Sequence, residues 1–194
     1  IAVALPAGHA SEAGRHFDIA EFALSRYGEW LGAYPWPRLS VVIPPANAAG
    51  AGGMEYPMLV TSVPAAWWLP AGVRLPEITT AHEIAHQWFP MQVASNEARD
   101  PWMDEAFADY LTERLLAMRY GGDRSALDLP FARAGYQSLL RLEFALAIRV
   151  PITRPAWEYA GAQYAGAVYG KGALFLGTLE RVLPRFTAAL RGKT

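Results

Sequence analysis

Cysteine is absent from this 194-residue sequence, which excludes disulfide frameworks, thiol nucleophiles and thiolate metal sites. Any metal must therefore rest on histidine and carboxylate. Charge is scarce too: 17 basic and 18 acidic side chains leave a formal charge of −1. Charged residues make up 18% of the chain, against roughly 25% in an ordinary domain. No segment is basic enough to mark a nucleic-acid partner or an anionic membrane surface. Long apolar runs are missing as well, since Val63–Leu69 and Phe144–Ile148 fall far short of the roughly 18 residues of a membrane span. No basic leader with an apolar core is recognisable, so no compartment is assigned. What the chain has in excess is apolar side chains, 53% of the total, with 17 Gly and 15 Pro dispersed rather than clustered. That composition excludes disorder and predicts one domain or two closely packed parts. The apolar excess is expected of a domain excised from a longer chain, with faces that pack on neighbouring domains, before Leu39 and after Lys171.

The periodicities predict an α+β order. Ser11–Trp30 reads as a helix with Ser11 as N-cap and Phe17, Ala20, Leu24, Tyr27 and Leu31 on one face. Leu39–Ile43 reads as a β-branched strand, and Met54–Ser62 as an edge strand interrupted by Pro57. A helix is expected from Pro76-Glu77 to about Phe89, ended by Pro90, and a second from the Asp100-Pro101 cap to Tyr120, stopped by Gly121-Gly122. The remainder reads as mainly helical, clearest over Phe131–Arg149 and Lys171–Leu183. Residues 1–90 would then form an α/β part and 91–194 a helical part of one domain.

Two of only four histidines fall in one pentapeptide, His82-Glu83-Ile84-Ala85-His86. On a helix, residues four apart share a face, so both imidazoles can reach one metal ion, and Zn²⁺ suits that donor set. A catalytic zinc takes three protein ligands and an open position. A third His six residues beyond His86 would mark a metzincin, but that position is Gln92. The remaining donors are carboxylates on the next helix, among them Glu105, after an 18-residue gap (Gln87–Asp104). Glu83, next to the first ligand, is placed as the general base that takes a proton from water at the metal. His9 and His16 are assigned no function.

The gap and the surrounding Trp102-Met103-Asp104-Glu105-Ala106-Phe107-Ala108 resemble the gluzincin aminopeptidases typified by aminopeptidase N, whose motif usually reads Trp-Leu-Asn-Glu-Gly-Phe-Ala. The resemblance implies His82, His86 and Glu105 as ligands of one zinc per chain. Asp109, one turn beyond Glu105, matches an acid that orients the first His in related thermolysin-like enzymes; a solvated helix-face acid is the equal alternative. Tyr169-Gly170-Lys171-Gly172 resembles the Tyr-x-Lys-Gly element of the family, which implies Tyr169 as donor to the transition-state oxyanion, and Tyr164 matches a second tyrosine near the site in some members. Gly52-Gly53-Met54-Glu55-Tyr56 resembles the Gly-x-Met-Glu-Asn exopeptidase motif. An edge strand offers backbone groups to an extended peptide, and Glu55 would capture its free α-ammonium. Tyr56 departs from the usual Asn and puts a bulky ring near the first subsite. The Trp67-Trp68 pair is read as either a substrate wall or interdomain packing.

The resemblance therefore implies a thermolysin-like zincin catalytic domain, with a small mixed sheet and zinc helix packed on a helical half, acting on peptide substrates as an aminopeptidase. An endopeptidase or altered exopeptidase of the same fold is the first alternative. A non-catalytic binding or scaffold domain is the second.

Overall fold

The computed structural model describes residues 1–64 and 69–183. Its first element, α1 (Ala13–Leu31), buries His16, Ile19, Ala20, Ala23 and Tyr27, the three- and four-residue steps of one helical stripe. The stripe is rotated from the one expected, because Phe17 stands 41% exposed. Ser11 does not cap the helix: a 3-10 turn, Ala10–Glu12, leads in and Glu12 holds the cap position.

Three short parallel strands form the sheet, β1 (Ala2–Ala4), β2 (Ser40–Val42) and β3 (Leu59–Thr61), in that spatial order. Val41 pairs with Val3 on one side and Val60 on the other. Leu39, Val41 and Ile43 alternate into the core as a two-residue repeat requires. The single strand expected over 54–62 is instead a reversal. Met58 takes φ 63°, Leu59 N–H closes a turn onto the Tyr56 carbonyl, and Met54 returns as an isolated antiparallel bridge to Thr61. Pro57, which cannot donate to a ladder, sits in that turn. Glycine-rich residues 52–54 therefore run along the outer edge of β3, so the sheet is mixed only through this bridge.

Helix α2 (Leu75–Ala85) has proline in its first turn and buries Thr80 through Ala85. It ends at Ala85, earlier than expected, and His86 forms its cap. Helix α3 (Trp102–Tyr120) follows, with Pro101 at the cap position; Asp100 contributes its backbone carbonyl, to Met103 N–H at 2.9 Å, rather than a side-chain cap. Gly121, at φ 93°, terminates α3 as expected. The next segment corrects the helical expectation. An antiparallel hairpin, β4 (Leu127–Leu129) and β5 (Ala132–Ala134), occupies residues assigned to the start of a helix, and α4 runs only over Tyr136–Ala145.

A π-helical turn, Ala165–Lys171, leads into α5 (Gly172–Val182). It packs tightly on α4, since a Cβ at Gly170 would lie 2.6 Å from the Leu140 carbonyl oxygen and 2.8 Å from Phe144 N. Only glycine permits that approach. No helix among the described residues is long and apolar enough to cross a membrane. The most exposed large apolar side chains are Phe131, Trp157, Val182 and Leu142. Among the described residues exposure thus centres between Phe131 and Leu183, with less before Leu39 than expected. Trp67-Trp68 lies outside the described residues.

Candidate metal centre

Helix α2 presents His82 and His86 one turn apart, and α3 packs across it to bring up Glu105. His82 Nε2 lies 3.1 Å from His86 Nε2 and 3.1 Å from Glu105 Oε2, and His86 Nε2 lies 3.3 Å from the same oxygen. Donor atoms about 2.0–2.1 Å from one tetrahedral ion stand roughly 3.3 Å apart. The three atoms therefore fit a single small cation.

The outer nitrogens are committed elsewhere. His82 Nδ1–H donates to Asp109 Oδ1 at 2.8 Å, and His86 Nδ1–H donates to the Phe89 carbonyl at 2.8 Å with Asp104 Oδ1 2.6 Å away. Both Nε2 lone pairs are thereby turned to the metal position. Asp109 is 2% exposed and also accepts from the Tyr136 hydroxyl at 2.7 Å, so it is no solvated surface acid. Tyr136 opens α4, beyond the hairpin, and nothing in the sequence pattern linked it to Asp109.

The electrostatics favour positive charge here. Burial would lower the His82 pKa, but Asp109, Glu105 and Glu83 outweigh it and hold the pKa well above the ordinary value. For His86, burial is outweighed by Asp104 and Glu105, which raise the pKa to about 10. Burial likewise opposes ionisation of Glu105, yet its hydrogen bonds to both imidazoles hold its carboxyl far below the usual range. A donor set that stabilises protons this strongly is matched to a divalent cation. Glu83 is different: burial pushes it up to about 7, against the pull of the two imidazoles. It can therefore exchange a proton near neutral pH.

Gly53 takes φ +76°, and a Cβ built there would meet Glu83 Oε1 at 3.6 Å. Glu55 follows, its carboxylate within 4.8 Å of the donor atoms of Glu83 and His86, while Tyr56 stands 53% exposed. The structure thus brings the Gly52–Glu55 segment to the ligand cluster. Gln87, fully buried and missed in the sequence, holds it there. Its Oε1 accepts from Met58 N–H at 3.0 Å, and its Nε2 donates to the Tyr56 carbonyl at 3.2 Å and the Glu55 carbonyl at 3.4 Å. Its place directly after His86 was the available signal.

From the π-helical turn, Tyr169 stacks on His82 with ring centroids 5.9 Å apart, and Tyr164 packs edge-on against Tyr169 at 5.9 Å. Burial and the neighbouring Glu105 carboxylate push the Tyr169 phenol far up, so it remains a proton donor. A cavity of about 250 Å³ opens beside these groups, lined by His82, Glu83, Asp109, Tyr136, Glu143 and Tyr169, with Gly53, Ile78 and Thr79.

Comparison with known proteins matches residues 16–191 to the peptidase family M1 domain. Human aminopeptidase O is 35% identical over 85 residues, 43% of this chain and 10% of that protein. Aminopeptidase B of Rattus norvegicus is 32% identical over 108 residues, 55% of this chain and 16% of that protein. The crystal structure of an M1 zinc metallopeptidase from Deinococcus radiodurans covers 96% of this chain with a TM-score of 0.60 at 24% identity, and this chain spans 37% of it. The chain therefore matches only a minor part of each relative's length.

Proposed function

The chain belongs to peptidase family M1, and from that premise we propose that it is the catalytic domain of a zinc aminopeptidase with a thermolysin-like arrangement, holding one zinc per chain on His82, His86 and Glu105. The observation that carries this reading is the convergence of those three donor atoms within 3.1–3.3 Å, with Glu83 beside them and Glu55 within 4.8 Å of Glu83. Zinc, when bound, supplies Lewis acidity that makes water a stronger acid and polarises the scissile carbonyl.

The chain's own residues do the rest. Glu83 takes the proton of the attacking water and returns it to the leaving amine. Tyr169 donates its hydroxyl to the oxyanion that develops on the carbonyl. Asp109, braced by Tyr136, keeps the His82 ring in one tautomer. Glu55 receives the α-ammonium of the peptide, and the backbone of residues 52–54 flanks the substrate along the sheet edge.

The test pairs metal analysis with two peptides. About one zinc per chain and cleavage of a free-amine peptide at least a hundredfold faster than its N-acetylated form are expected. Equal cleavage of both would remove the ammonium role of Glu55 and favour the endopeptidase alternative. Hydrolysis by metal-free protein would remove the zinc mechanism.

A further inference from the structure

One half-buried acid lining the cavity has no task in that mechanism. Glu143, on α4, lines the cavity with His82 and Asp109, and no donor among the described residues bonds its Oε2. The charged groups that act on it are Asp109, which repels its negative charge, and His82, which attracts it but is already bonded to Asp109. Burial first and Asp109 second push its pKa up to about 7. Lys171, on the turn packed against α4, is turned away and donates to the carbonyls of Ile148 and Val150 at 3.1 and 2.8 Å. Among the described residues no Lys or Arg pairs with this acid, which leaves it short of a cation.

The cavity's place along the substrate says where a cation would come from. Glu55 gathers with Glu83 and His86, and the cavity that Glu143 lines is also bounded by Glu83 and by Gly53 of the segment that carries Glu55, so it adjoins the seat of the scissile bond. With the ammonium of the first residue at Glu55 and the scissile carbonyl beside Glu83, the following residue enters the cavity. The volume of about 250 Å³ admits one long side chain. We propose that Glu143 receives the cationic side chain of the residue immediately after the scissile bond, so that the enzyme favours Lys or Arg at that position. This inference rests on the aminopeptidase reading above.

The experiment compares kcat/KM for the free-amine tripeptides Leu-Lys-Ala and Leu-norleucine-Ala, which differ at that position by an ammonium against a methyl group. The expected lysine-to-norleucine ratio is ten or more in the unaltered chain and falls toward one in Glu143→Gln. Glu143→Lys should drop the ratio below one and favour Leu-Glu-Ala instead, a reversal that a merely unstable variant would not produce. A ratio near one in the unaltered chain, or an undiminished ratio in both variants, overturns the inference while leaving the aminopeptidase reading intact. A chain that cleaves none of the peptides overturns both.

Discussion

Replacing Asp109 by Asn should weaken zinc binding by about 10–100-fold without unfolding the chain. The carboxylate accepts two hydrogen bonds at one oxygen, from His82 Nδ1–H at 2.8 Å and from the Tyr136 hydroxyl at 2.7 Å, in a site only 2% exposed. Asn keeps the shape and one acceptor oxygen, so both donors retain a partner and the packing survives. What is lost is the charge. A hydrogen bond to an ionised group contributes about 1.5–3 kcal/mol, against roughly 1 kcal/mol for a neutral one. Loss of such an outer partner typically costs 10–100-fold in metal affinity, or about 1.4–2.7 kcal/mol. Tyr136→Phe, which removes a donor but leaves the charge, provides the internal scale. It should cost no more than about fivefold, since one neutral donor accounts for roughly 1 kcal/mol. Competition with a chromophoric chelator at pH 8 gives the zinc dissociation constants, and circular dichroism reports the fold. A zinc affinity within twofold of the unaltered chain in Asp109→Asn, with the fold intact, would show that His82 is oriented by packing alone and refute the reasoning.

Glu83→Gln should retain about one zinc per chain and lose at least about 10²-fold in kcat, because the amide cannot accept the proton; elemental analysis beside steady-state kinetics decides it, and loss of the metal would reassign Glu83 to binding. Tyr169→Phe should lower kcat by roughly 10²–10³ with little change in KM, as removal of an oxyanion donor does, and an unchanged kcat would transfer that role to another group. His16 predicts an acid sensitivity away from the site. It is fully buried, with Nδ1 2.9 Å from Thr80 Oγ1 and Nε2 unpartnered, and burial lowers its pKa from 6.5 to about 4. Because the folded pKa lies below the unfolded one, its contribution is complete above pH 6.5 and is lost as pH falls toward 4, by about 2 kcal/mol at pH 5. Urea unfolding at pH 7 and pH 5 should show that loss and His16→Gln should diminish it; an identical pH slope in the variant would discount the histidine.

The parts of the site written in local spacing were readable from sequence. His82, Glu83 and His86 follow from helical periodicity alone, and Glu105 and Asp109 from a recognisable gap and one further turn. The groups that depend on tertiary approach were not readable. Tyr136 reaches Asp109 only because the β4–β5 hairpin redirects the chain, and that hairpin escaped notice because each strand is three residues long, below the run at which alternation becomes a signal. The same brevity hid β1. Residues 54–62 read as one strand because their composition is strand-like throughout. The positive φ of Met58 that folds them back leaves no mark in a pattern of apolar residues. The pattern makes α2 too long for a similar reason: Pro90 reads as its stop, whereas the turns between Ala85 and Pro90 carry Trp88 and Phe89 into the core.

Gln87 gives the site a fixed length. Its three bonds join the reversal that carries Glu55 to the residue that follows His86, so the seat proposed for the peptide's amine and the seat proposed for the metal belong to one rigid piece. On that reading, how many residues leave the peptide at each cut is a matter of measurement rather than of a wall. The carboxylate of Glu55 lies within 4.8 Å of the donor atoms of Glu83 and His86, and a single glutamine sets that ruler. Shortening that side chain would leave every group of the chemistry in place and still blur where the cut falls.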